Sequence, residues 1–385
     1  MNIGIVCYAS MGGSGIVATE LGKALADRGH DVHLISADQP FRLGEFHPGL
    51  AFHEVQTPSY PLFREPQYLL SVANTVVRVG RGHGLEIVHA HYAVPHAAAA
   101  VLARQVLDAS APGRSPRVVT TLHGTDITVV GADPSYSEIV AFSIDQSDAV
   151  TAVSESLRRS TCTQLSVHRD IEVIPNFLDC GTWRHLELQG LRRRYAGDDP
   201  STKLVMHLSN FRPVKRADTV VEVFARVAAR VPARLLLVGD GPDLPLARRV
   251  AERLHVVDRV HALGAVENVL PLLSIADLFL LPSEQESFGL AALEAMACSV
   301  PVVASNAGGL PEVIEDGVTG FLHPVEDVDA MAASAIALLT DAELHRRIGS
   351  AAAQCACERF SAQRVVPMYE ALYERLVREP RRAAH

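Results

Sequence analysis

Residues 2–38, NIGIVCYASMGGSGIVATELGKALADRGHDVHLISAD, contain the turn that decides the fold class. An apolar run at residues 3–6 precedes glycines, and the segment GSGIVA, which begins at Gly13, fits the pattern G-x-G-x-x-A. The spacing of apolar residues predicts a helix from about Val17 to Arg28, and the aliphatic run after it predicts a second strand. The stretch therefore predicts a strand, a tight turn and a helix that crosses over to a parallel strand.

The glycines alone leave two interpretations open. Asp38 follows the second strand about where a dinucleotide-binding fold keeps its ribose-binding acid, which favours a dehydrogenase. On the other interpretation, Gly12, Gly13 and Gly15 let the backbone turn tightly and approach an anion at a helix N-terminus. The rest of the chain has to decide between a nicotinamide cofactor and another anionic ligand.

Composition predicts a folded chain of two domains. The 385 residues exceed the length at which one hydrophobic core usually keeps growing, and 48% of them are hydrophobic against 21% charged. The formal net charge of -9 argues against nonspecific binding of nucleic acid, which needs a basic surface. Basic clusters at residues 191–197 and 378–385 are interpreted as solvated helix faces rather than as a membrane contact.

The cysteines show neither a C-x-x-C pair nor a regular spacing. They are Cys7, Cys162, Cys180, Cys298, Cys355 and Cys357. We therefore expect reduced thiols in a cytoplasmic protein, rather than disulfides or a zinc site. The apolar run after Met1 is too short for a signal peptide, and no apolar run approaches about twenty residues, so we expect no membrane anchor. Whether the chain forms a homo-oligomer is left open.

Two halves of the chain repeat the same alternation of short strands and helices, and the alternation breaks near residues 176–202. We expect an α/β fold with an N-terminal Rossmann-like domain over residues 1–178 and a C-terminal one over 179–364. A last helix, at about 365–385, is expected to pack back on the first domain. Doubly wound sheets bind ligands at the carboxyl ends of their strands, so the sequence predicts a site in a cleft between the domains.

Residues 281–314, LPSEQESFGLAALEAMACSVPVVASNAGGLPEVI, carry the most informative functional pattern. A helix is predicted to open at about Phe288, and its free N–H groups and dipole favour an anionic ligand. The groups concerned are those of Ser287, Phe288, Gly289 and Leu290. Glu286 in the loop and Glu294 on the mostly apolar helix are better suited to accept hydrogen bonds from sugar or ribose hydroxyls than to hold phosphate.

These residues resemble the retaining glycosyltransferases of family four, which have the GT-B fold of two facing Rossmann-like domains. The resemblance rests on ESFGLAALEAMAC at 286–298, VGDGP at 238–242, NFRPVKR at 210–216 and GGLPEVI at 308–314. It covers the second half of the chain and the N-terminal glycine loop. The dehydrogenase becomes the alternative interpretation.

The resemblance implies a nucleotide-sugar donor site. Glu286 would bind hydroxyls of the donor sugar and Glu294 those of the ribose, while Lys215 and Arg212 would neutralise the diphosphate. The spacing R-P-V-K departs from many relatives, in which the arginine lies further upstream of the lysine. The other donor-binding residues that it implies are Gly13, Gly15, Asn210, Gly239, Ser287, Phe288, Gly289 and Leu290.

The first half is implied to bind the acceptor. His123 follows a predicted strand in TTLHGTD, and the resemblance makes it a catalytic residue beside the donor sugar, with Asp126 close enough in sequence to orient it. The candidates for contact with the acceptor are Ser14, Tyr92, Thr121 and His123. No carboxylate cluster accompanies His89, His91 and His96, so a strand end followed by a loop explains them better than a metal site.

Two stretches, HAHYAVPHA at 89–97 and LHGTDIT at 122–128, indicate which reaction of the family to expect. They resemble the family members that begin bacillithiol synthesis. This implies transfer of N-acetylglucosamine from UDP-N-acetylglucosamine to the hydroxyl of L-malate with retention, without a metal or another cofactor. The alternatives are a mycothiol-type enzyme that uses inositol phosphate, a nucleotide-sugar-binding protein without turnover, and an NAD-dependent dehydrogenase.

Overall fold

The computed structural model describes residues 1–9, 12–44, 46–59 and 67–380. The chain divides into two units, each built on one parallel sheet. Unit 1 comprises Met1–Asn176 and Gln363–His385, and unit 2 comprises Phe177–Ala362. The expected α/β class with two Rossmann-like domains is confirmed.

The sheet of unit 1 has seven strands in the order β3-β2-β1-β4-β5-β6-β7. The strands are β1 Asn2–Val6, β2 Asp31–Ser36, β3 Leu50–Glu54, β4 Ile87–His91, β5 Arg117–Leu122, β6 Ala149–Ala152 and β7 Ile171–Val173. The helices are α1 Gly13–Asp27, α2 Tyr68–His83, α3 Ala98–Ser110, α4 Ser137–Gln146 and α5 Glu155–Gln164, with short π-helical turns at Ala93–Ala97 and Asp126–Val130.

The sheet of unit 2 has six strands in the order β10-β9-β8-β11-β12-β13. The strands are β8 Lys203–Leu208, β9 Ala233–Val238, β10 Val260–Gly264, β11 Leu278–Leu281, β12 Val302–Ser305 and β13 Phe321–His323. The helices are α6 Gln189–Ala196, α7 Ala217–Ala228, α8 Leu244–Arg253, α9 Leu270–Ile275, α10 Leu290–Ala297, α11 Leu310–Val313, α12 Val328–Thr340 and α13 Ala342–Phe360. Short 3-10 turns lie at Pro213–Lys215 and Val257–Arg259.

Each sheet reverses its strand order once. The reversal lies between β1 and β4 in unit 1 and between β8 and β11 in unit 2. Ligands of open α/β sheets bind outside the carboxyl ends of the strands at such a reversal. The loops after these four strands are therefore the places where each unit is expected to bind a ligand.

The helix after the first glycine turn begins earlier than the sequence predicted. α1 starts at Gly13 rather than near Val17, because Gly12 is extended (φ -79°, ψ 159°) and already caps the helix. Its first turn is consequently made of Gly13, Ser14 and Gly15. The N–H groups of a first turn have no partners within the helix, which keeps them available to a ligand.

The interior of each unit is aliphatic and lies between the sheet and its helices. In unit 1 a core of valine, alanine and leucine side chains packs α2 and α3 on the sheet, and in unit 2 a similar core packs α7, α8 and α12. No helix in the described part of the chain is long and apolar enough to cross a membrane.

The structure corrects the expectation of reduced thiols at two of the six cysteines, while the other four are free thiols. Cys180 and Cys357 form a disulfide with their Cα atoms 5.8 Å apart. The two are separated by 177 residues in sequence, so local spacing could not reveal the pair. The chain returns at the end of α13, where the N–H of Leu178 donates to the carbonyl of Phe360 at 3.0 Å, and this contact brings the cysteines together.

The last described helix, α14 Ala362–Arg378, belongs to unit 1. The Tyr373 hydroxyl lies 2.7 Å from Nδ1 of His89 on β4, and Glu370 pairs with Arg28 at 2.6 Å. The chain thus starts and finishes in one unit, with unit 2 inserted before the final helix. The last residues of the helix expected over 365–385 lie outside the described part.

Candidate active site

A lysine and a glutamate from two loops of unit 2 meet at the reversal of its sheet. Lys215 lies in the 3-10 turn after β8, and Glu286 lies in the loop after β11. Nζ of Lys215 is 2.5 Å from Oε1 of Glu286, and the Ser283 hydroxyl donates to the same oxygen at 3.1 Å. The two side chains are 20% and 11% exposed, respectively, so the pair can still be reached by a ligand.

Two glycines hold the loop that carries Glu286. The N–H of Gly309 donates to the Glu286 carbonyl at 2.8 Å. A Cβ atom at Gly308 would lie 1.9 Å from that carbonyl oxygen, and one at Gly309 would lie 2.4 Å from the carbonyl oxygen of Ser287. No side chain fits in either place. The motif GGLPEVI, which the sequence analysis used only for its resemblance, therefore has a physical role in fixing Glu286.

The helix after this loop begins at Leu290, two residues later than expected. Gly289 precedes it with a φ of 98°, and a Cβ atom there would lie 2.6 Å from Cδ2 of Leu310. Phe288 is buried against the ring of Phe360, with centroids 5.5 Å apart. These contacts fix the N-terminus of α10, where unpaired N–H groups and the helix dipole favour an anion.

Glu294 lies on α10 and is 3% exposed. Burial, together with the charge of Glu294, raises the pKa of the Cys298 thiol to about 12, so that thiol is inert. The position suits an acceptor for ligand hydroxyls, and the ribose role of Glu294 stays a prediction.

The loop before Lys215 rests on the VGDGP turn. Gly239 has a φ of 114°, and a Cβ atom there would lie 1.9 Å from the carbonyl oxygen of Ser209. A Cβ atom at Gly241 would lie 1.9 Å from the carbonyl oxygen of Asn210. Gly239 thus supports the backbone of the lysine loop, and the side chain of Asn210 is exposed on that loop.

A buried histidine that the sequence analysis missed links strand β11 to the start of the lysine loop. His207 on β8 donates from Nδ1 to the carbonyl of Leu280 at 2.9 Å, and its Nε2 accepts from the Ser209 hydroxyl at 2.8 Å. Burial lowers its pKa to about 4, with a further contribution from the charge of Lys215. His207 is therefore neutral and orients the start of the lysine loop.

The two arginines that flank this turn differ in their contacts. Arg216 pairs with Asp218 at 3.2 Å and with Glu326 at 2.7 Å. Arg212 is exposed, and its side chain has no ion pair or hydrogen bond with any other described residue, whereas its carbonyl accepts the N–H of Lys215 at 2.8 Å. Arg212 is therefore the arginine with a free side chain, and its contact with a diphosphate stays a prediction.

In unit 1 the glycine turn after β1 lies at the N-terminus of α1. Gly13 is exposed, Gly15 is buried, and Ser14 is 7% exposed. The first turn of α1 is thus partly open, as an anion site at a helix start requires. Contact of these residues with a substrate stays a prediction.

His123 follows β5 and is held by a second histidine. Its Nε2 atom lies 2.8 Å from Nδ1 of His91, the last residue of β4. Burial lowers the pKa of His123 to about 3, so its imidazole is neutral at neutral pH. Nε2 of His91 is buried and accepts no hydrogen bond from the described residues. Because an unpaired acceptor is less costly than an unpaired N–H, we assign the shared proton to His91, which leaves His123 with an N–H on Nδ1.

Asp126 does not orient the ring of His123, contrary to the sequence-based expectation. Its carboxylate accepts the backbone N–H groups of His123, Gly124 and Ala93 at 3.2, 2.9 and 3.3 Å. Burial raises the pKa of Asp126 to about 6, although these hydrogen bonds lower it. Asp126 clamps the loops after β4 and β5, and His91 orients the His123 ring.

Thr121 belongs to a buried chain of polar groups beneath this site. Its hydroxyl is fully buried and lies 2.7 Å from Nε2 of His89 and 2.6 Å from the hydroxyl of Thr151. Burial lowers the pKa of His89 to about 3, so this chain is neutral. The contacts favour a structural role for Thr121 over direct contact with an acceptor.

Tyr92 adopts a backbone conformation that side chains rarely take. Its φ is 87°, and its N–H donates to the carbonyl of Thr121 at 3.0 Å. The ring lies 5.3 Å from that of His123 and 5.8 Å from that of Tyr8. Strained non-glycine residues cluster at functional sites, which supports Tyr92 as a site residue. The positive φ leaves no signal in the sequence.

Models of two glycosyltransferase families match the chain. Residues 11–182 match the model described as Glycosyltransferase Family 4, and residues 193–354 match the model described as Glycosyl transferases group 1. The two matches cover most of unit 1 and most of unit 2, respectively. They contain the loops described above in each unit.

Individual proteins give the same result. The chain is 46% identical over 379 residues to N-acetyl-alpha-D-glucosaminyl L-malate synthase of Bacillus anthracis, a match that covers 98% of both chains. It is 35% identical over 188 residues to D-inositol 3-phosphate glycosyltransferase of Segniliparus rotundus, which covers 47% of this chain and 42% of that one. Among solved structures, this chain is similar to Anabaena HepE in complex with UDP and glucose, with a TM-score of 0.79 and 20% identity. The similarity covers 97% of this chain and 99% of that one and shows that the two share a fold.

Proposed function

Because this chain belongs to the family-four glycosyltransferases, we propose that it moves N-acetylglucosamine from UDP-N-acetylglucosamine to the hydroxyl of L-malate, the first step of bacillithiol synthesis. Glycosyl transfer follows from the family and replaces the dehydrogenase hypothesis that the glycine turn left open. The donor, the acceptor, retention of configuration and the lack of a required metal are our proposals. A cytoplasmic location is another, since UDP-sugars are cytoplasmic metabolites.

The contact between Lys215 and Glu286 beside the start of α10 is the observation that carries the donor half. A diphosphate that reaches this place draws Lys215 away from the carboxylate and toward its own oxygens. Glu286 is then free to accept hydrogen bonds from the sugar hydroxyls, and Glu294 accepts those of the ribose. The ion pair between Lys215 and Glu286 is thereby replaced by two contacts with the donor, one to the diphosphate and one to the sugar.

The chemistry we propose has no covalent intermediate. A retaining glycosidase uses a nucleophilic carboxylate, whereas Glu286 is paired with a lysine and is assigned to the sugar hydroxyls. The bond from the anomeric carbon to the diphosphate breaks, the malate hydroxyl oxygen attacks the same face, and a diphosphate oxygen of the departing UDP takes the malate proton. Lys215, Arg212 and the N-terminus of α10 stabilise the negative charge that builds on UDP.

The acceptor half rests on neutral donors in unit 1. L-malate brings two carboxylates, and Ser14, Tyr92 and the N–H of neutral His123 can donate to them without adding positive charge. The choice of L-malate is supported by the full-length similarity to the Bacillus anthracis protein. The similarity to the inositol-phosphate enzyme is limited to 47% of the chain.

A comparison of acceptors tests the proposal. The enzyme is incubated with UDP-N-acetylglucosamine and either L-malate, L-lactate or inositol 3-phosphate, and both UDP release and the mass of the glycoside are followed. L-lactate lacks one carboxylate and leaves protein donors unpaired, so we expect kcat/KM at least about tenfold below that of L-malate. Proton NMR of the product should show an α-anomer.

The outcomes separate the two halves of the proposal. UDP release with inositol 3-phosphate as fast as with L-malate would remove the malate assignment and leave glycosyl transfer in place. Binding of UDP-N-acetylglucosamine without turnover on any acceptor would favour a nucleotide-sugar-binding protein. The Lys215→Ala variant serves as the control for background release of UDP.

A further inference from the structure

Three histidines of unit 1 gather apart from the residues discussed above. His33 lies on β2, His53 on β3, and His83 is the last residue of α2. In the β2–β3 register Ile35 lies opposite His53, so His33, Ile35 and His53 share one face of the sheet. Ile35 packs in the core that contains Val72 of α2, which identifies this face as the one that α2 covers. The end of α2 brings His83 onto the same face.

The three imidazoles converge closely enough for one ion. One ligand nitrogen from each lies within 4.8 Å of the other two. Nδ1 of His33 is 2.9 Å from Nε2 of His53, and the rings of His33 and His83 have centroids 4.2 Å apart. Zinc–nitrogen bonds of about 2.0–2.1 Å put the ligand nitrogens of a tetrahedral site roughly 3.4 Å apart. Because His83 is exposed, a small rotation of its side chain closes the remaining gap.

A second observation points to a ligand. His33 is 1% exposed, and its Nε2 atom is buried without a hydrogen-bond partner among the described residues. Oδ2 of Asp31 lies 3.5 Å from this atom, on the side of the ring where a carboxylate accepts the second N–H of a histidine that binds a metal ion through its other nitrogen. A metal ion on Nδ1, the nitrogen that faces His53, fixes the remaining ring proton of His33 on Nε2, where the Asp31 carboxylate can accept it.

We propose that His33, His53 and His83 bind a divalent transition-metal ion of the zinc type, with a water as the fourth ligand and the Asp31 carboxylate as the acceptor of the second ring N–H of His33. Imidazole is a preferred ligand of such ions, and three histidines are a common zinc set. β3 is the edge strand of its sheet, so the ion ties that edge to β2 and to the end of α2. The site is structural, because Asp31 begins β2 whereas Tyr92 and His123 follow the opposite, carboxyl ends of β4 and β5.

One neighbouring charge opposes the ion. Arg78 on α2 is exposed, and its positive charge acts on His53. Like charges repel, so removal of this guanidinium strengthens binding of a cation. This gives the site a variant that gains affinity as well as variants that lose it.

Zinc titration of the full chain tests the proposal. Untagged protein is stripped with a chelator, titrated with Zn²⁺ in a calorimeter, and melted with and without the ion. We expect one strongly bound zinc ion per chain and a higher melting temperature in its presence. His83→Gln, an exposed substitution that leaves the fold intact, should weaken binding by at least about tenfold. Arg78→Gln should tighten it.

The matched control is His185→Gln, which removes an exposed histidine of unit 2 and should bind zinc as the parent protein does. Cobalt in place of zinc should give the intense visible absorption of a tetrahedral site in the parent and lose it in His83→Gln. A parent protein that binds no zinc would overturn the proposal. Unchanged zinc affinity in both His83→Gln and His53→Gln would overturn it equally.

Discussion

Unit 1 and unit 2 build their polar sites in opposite ways. In unit 2 a charged pair, Lys215 and Glu286, is partly exposed and is held on turns that only glycine can make. In unit 1 the polar residues beneath the site are neutral and fully buried, with His89 bonded to Thr121 and Tyr373. A partly exposed ion pair can exchange partners when an anion arrives, whereas a buried neutral chain keeps one hydrogen-bond pattern. The contrast is between a charged pair in unit 2 that can change partners and a neutral network in unit 1 that keeps its geometry.

The largest expected difference between the two units is in their stability at acid pH. In unit 1, burial lowers the pKa of His89 to about 3, that of His96 to about 4, and that of His91 well below its usual value. Among the described residues of unit 2, only His207 is a fully buried histidine, and its pKa is about 4. Below about pH 6.5 these histidines bind protons in the unfolded chain but stay neutral in the folded protein. The free energy of unfolding is therefore highest above about pH 6.5 and falls as the pH is lowered. Each of these buried histidines lowers the free energy of unfolding by roughly 2 kcal/mol between pH 7 and pH 5. Asp126, whose pKa is raised to about 6, offsets roughly 1 kcal/mol of this in unit 1.

Two spectroscopic signals can follow the units during acidification. The chain has a single tryptophan, Trp183, and it is buried in unit 2. We expect circular dichroism at 222 nm to fall at a higher pH than the one at which Trp183 fluorescence shifts. Coincident transitions would mean that the two units do not differ in acid stability.

Loss of the lysine should have the largest effect on catalysis. Lys215→Ala removes the cation that stabilises charge on UDP and leaves Glu286 unpaired, so kcat should fall about 10²- to 10³-fold. Lys203→Ala is the matched control, because Lys203 begins the strand whose other end leads to Lys215. Steady-state rates of UDP release measure both. Equal rates for the two variants would show that the lysine of the turn has no special role.

The buried acid of α10 should have a smaller effect. Glu294→Gln keeps the side-chain volume and exchanges a charged acceptor for a neutral amide, so the Kd for UDP should rise about tenfold. Calorimetry with UDP gives the constant, and Glu284→Gln, an exposed change in the preceding loop, is the control. Unchanged UDP binding in Glu294→Gln would remove the ribose role.

Chelation should have the smallest effect on the rate. Lys215 and the N-terminus of α10 supply the positive charge at the diphosphate, so EDTA should leave kcat for transfer to L-malate unchanged. The same treatment should lower the melting temperature if zinc occupies the histidine cluster of unit 1. A rate that EDTA abolishes and one divalent ion restores would assign a metal to the diphosphate.

The sequence predicted the fold and the unit 2 residues better than the details of unit 1. Lys215, Glu286 and Gly289 belong to local motifs whose spacing survives in three dimensions, and the structure brings the first two together. The pairing of His91 with His123 joins neighbouring strands, and the disulfide of Cys180 joins positions 177 residues apart. Contacts of this kind depend on strand order and on the return of the chain, and neither can be derived from local periodicity.

The membership of α14 in unit 1 has a consequence for protein synthesis. Residues 1–176 leave the ribosome first, yet Tyr373, the partner of His89, is made only after the whole of unit 2. The nascent unit 1 therefore waits with its α14 docking surface uncovered while unit 2 folds. Premature termination anywhere within unit 2 leaves that surface permanently uncovered, with His89 lacking its Tyr373 partner, so truncated products should be bound by chaperones and degraded rather than accumulate as half-enzymes.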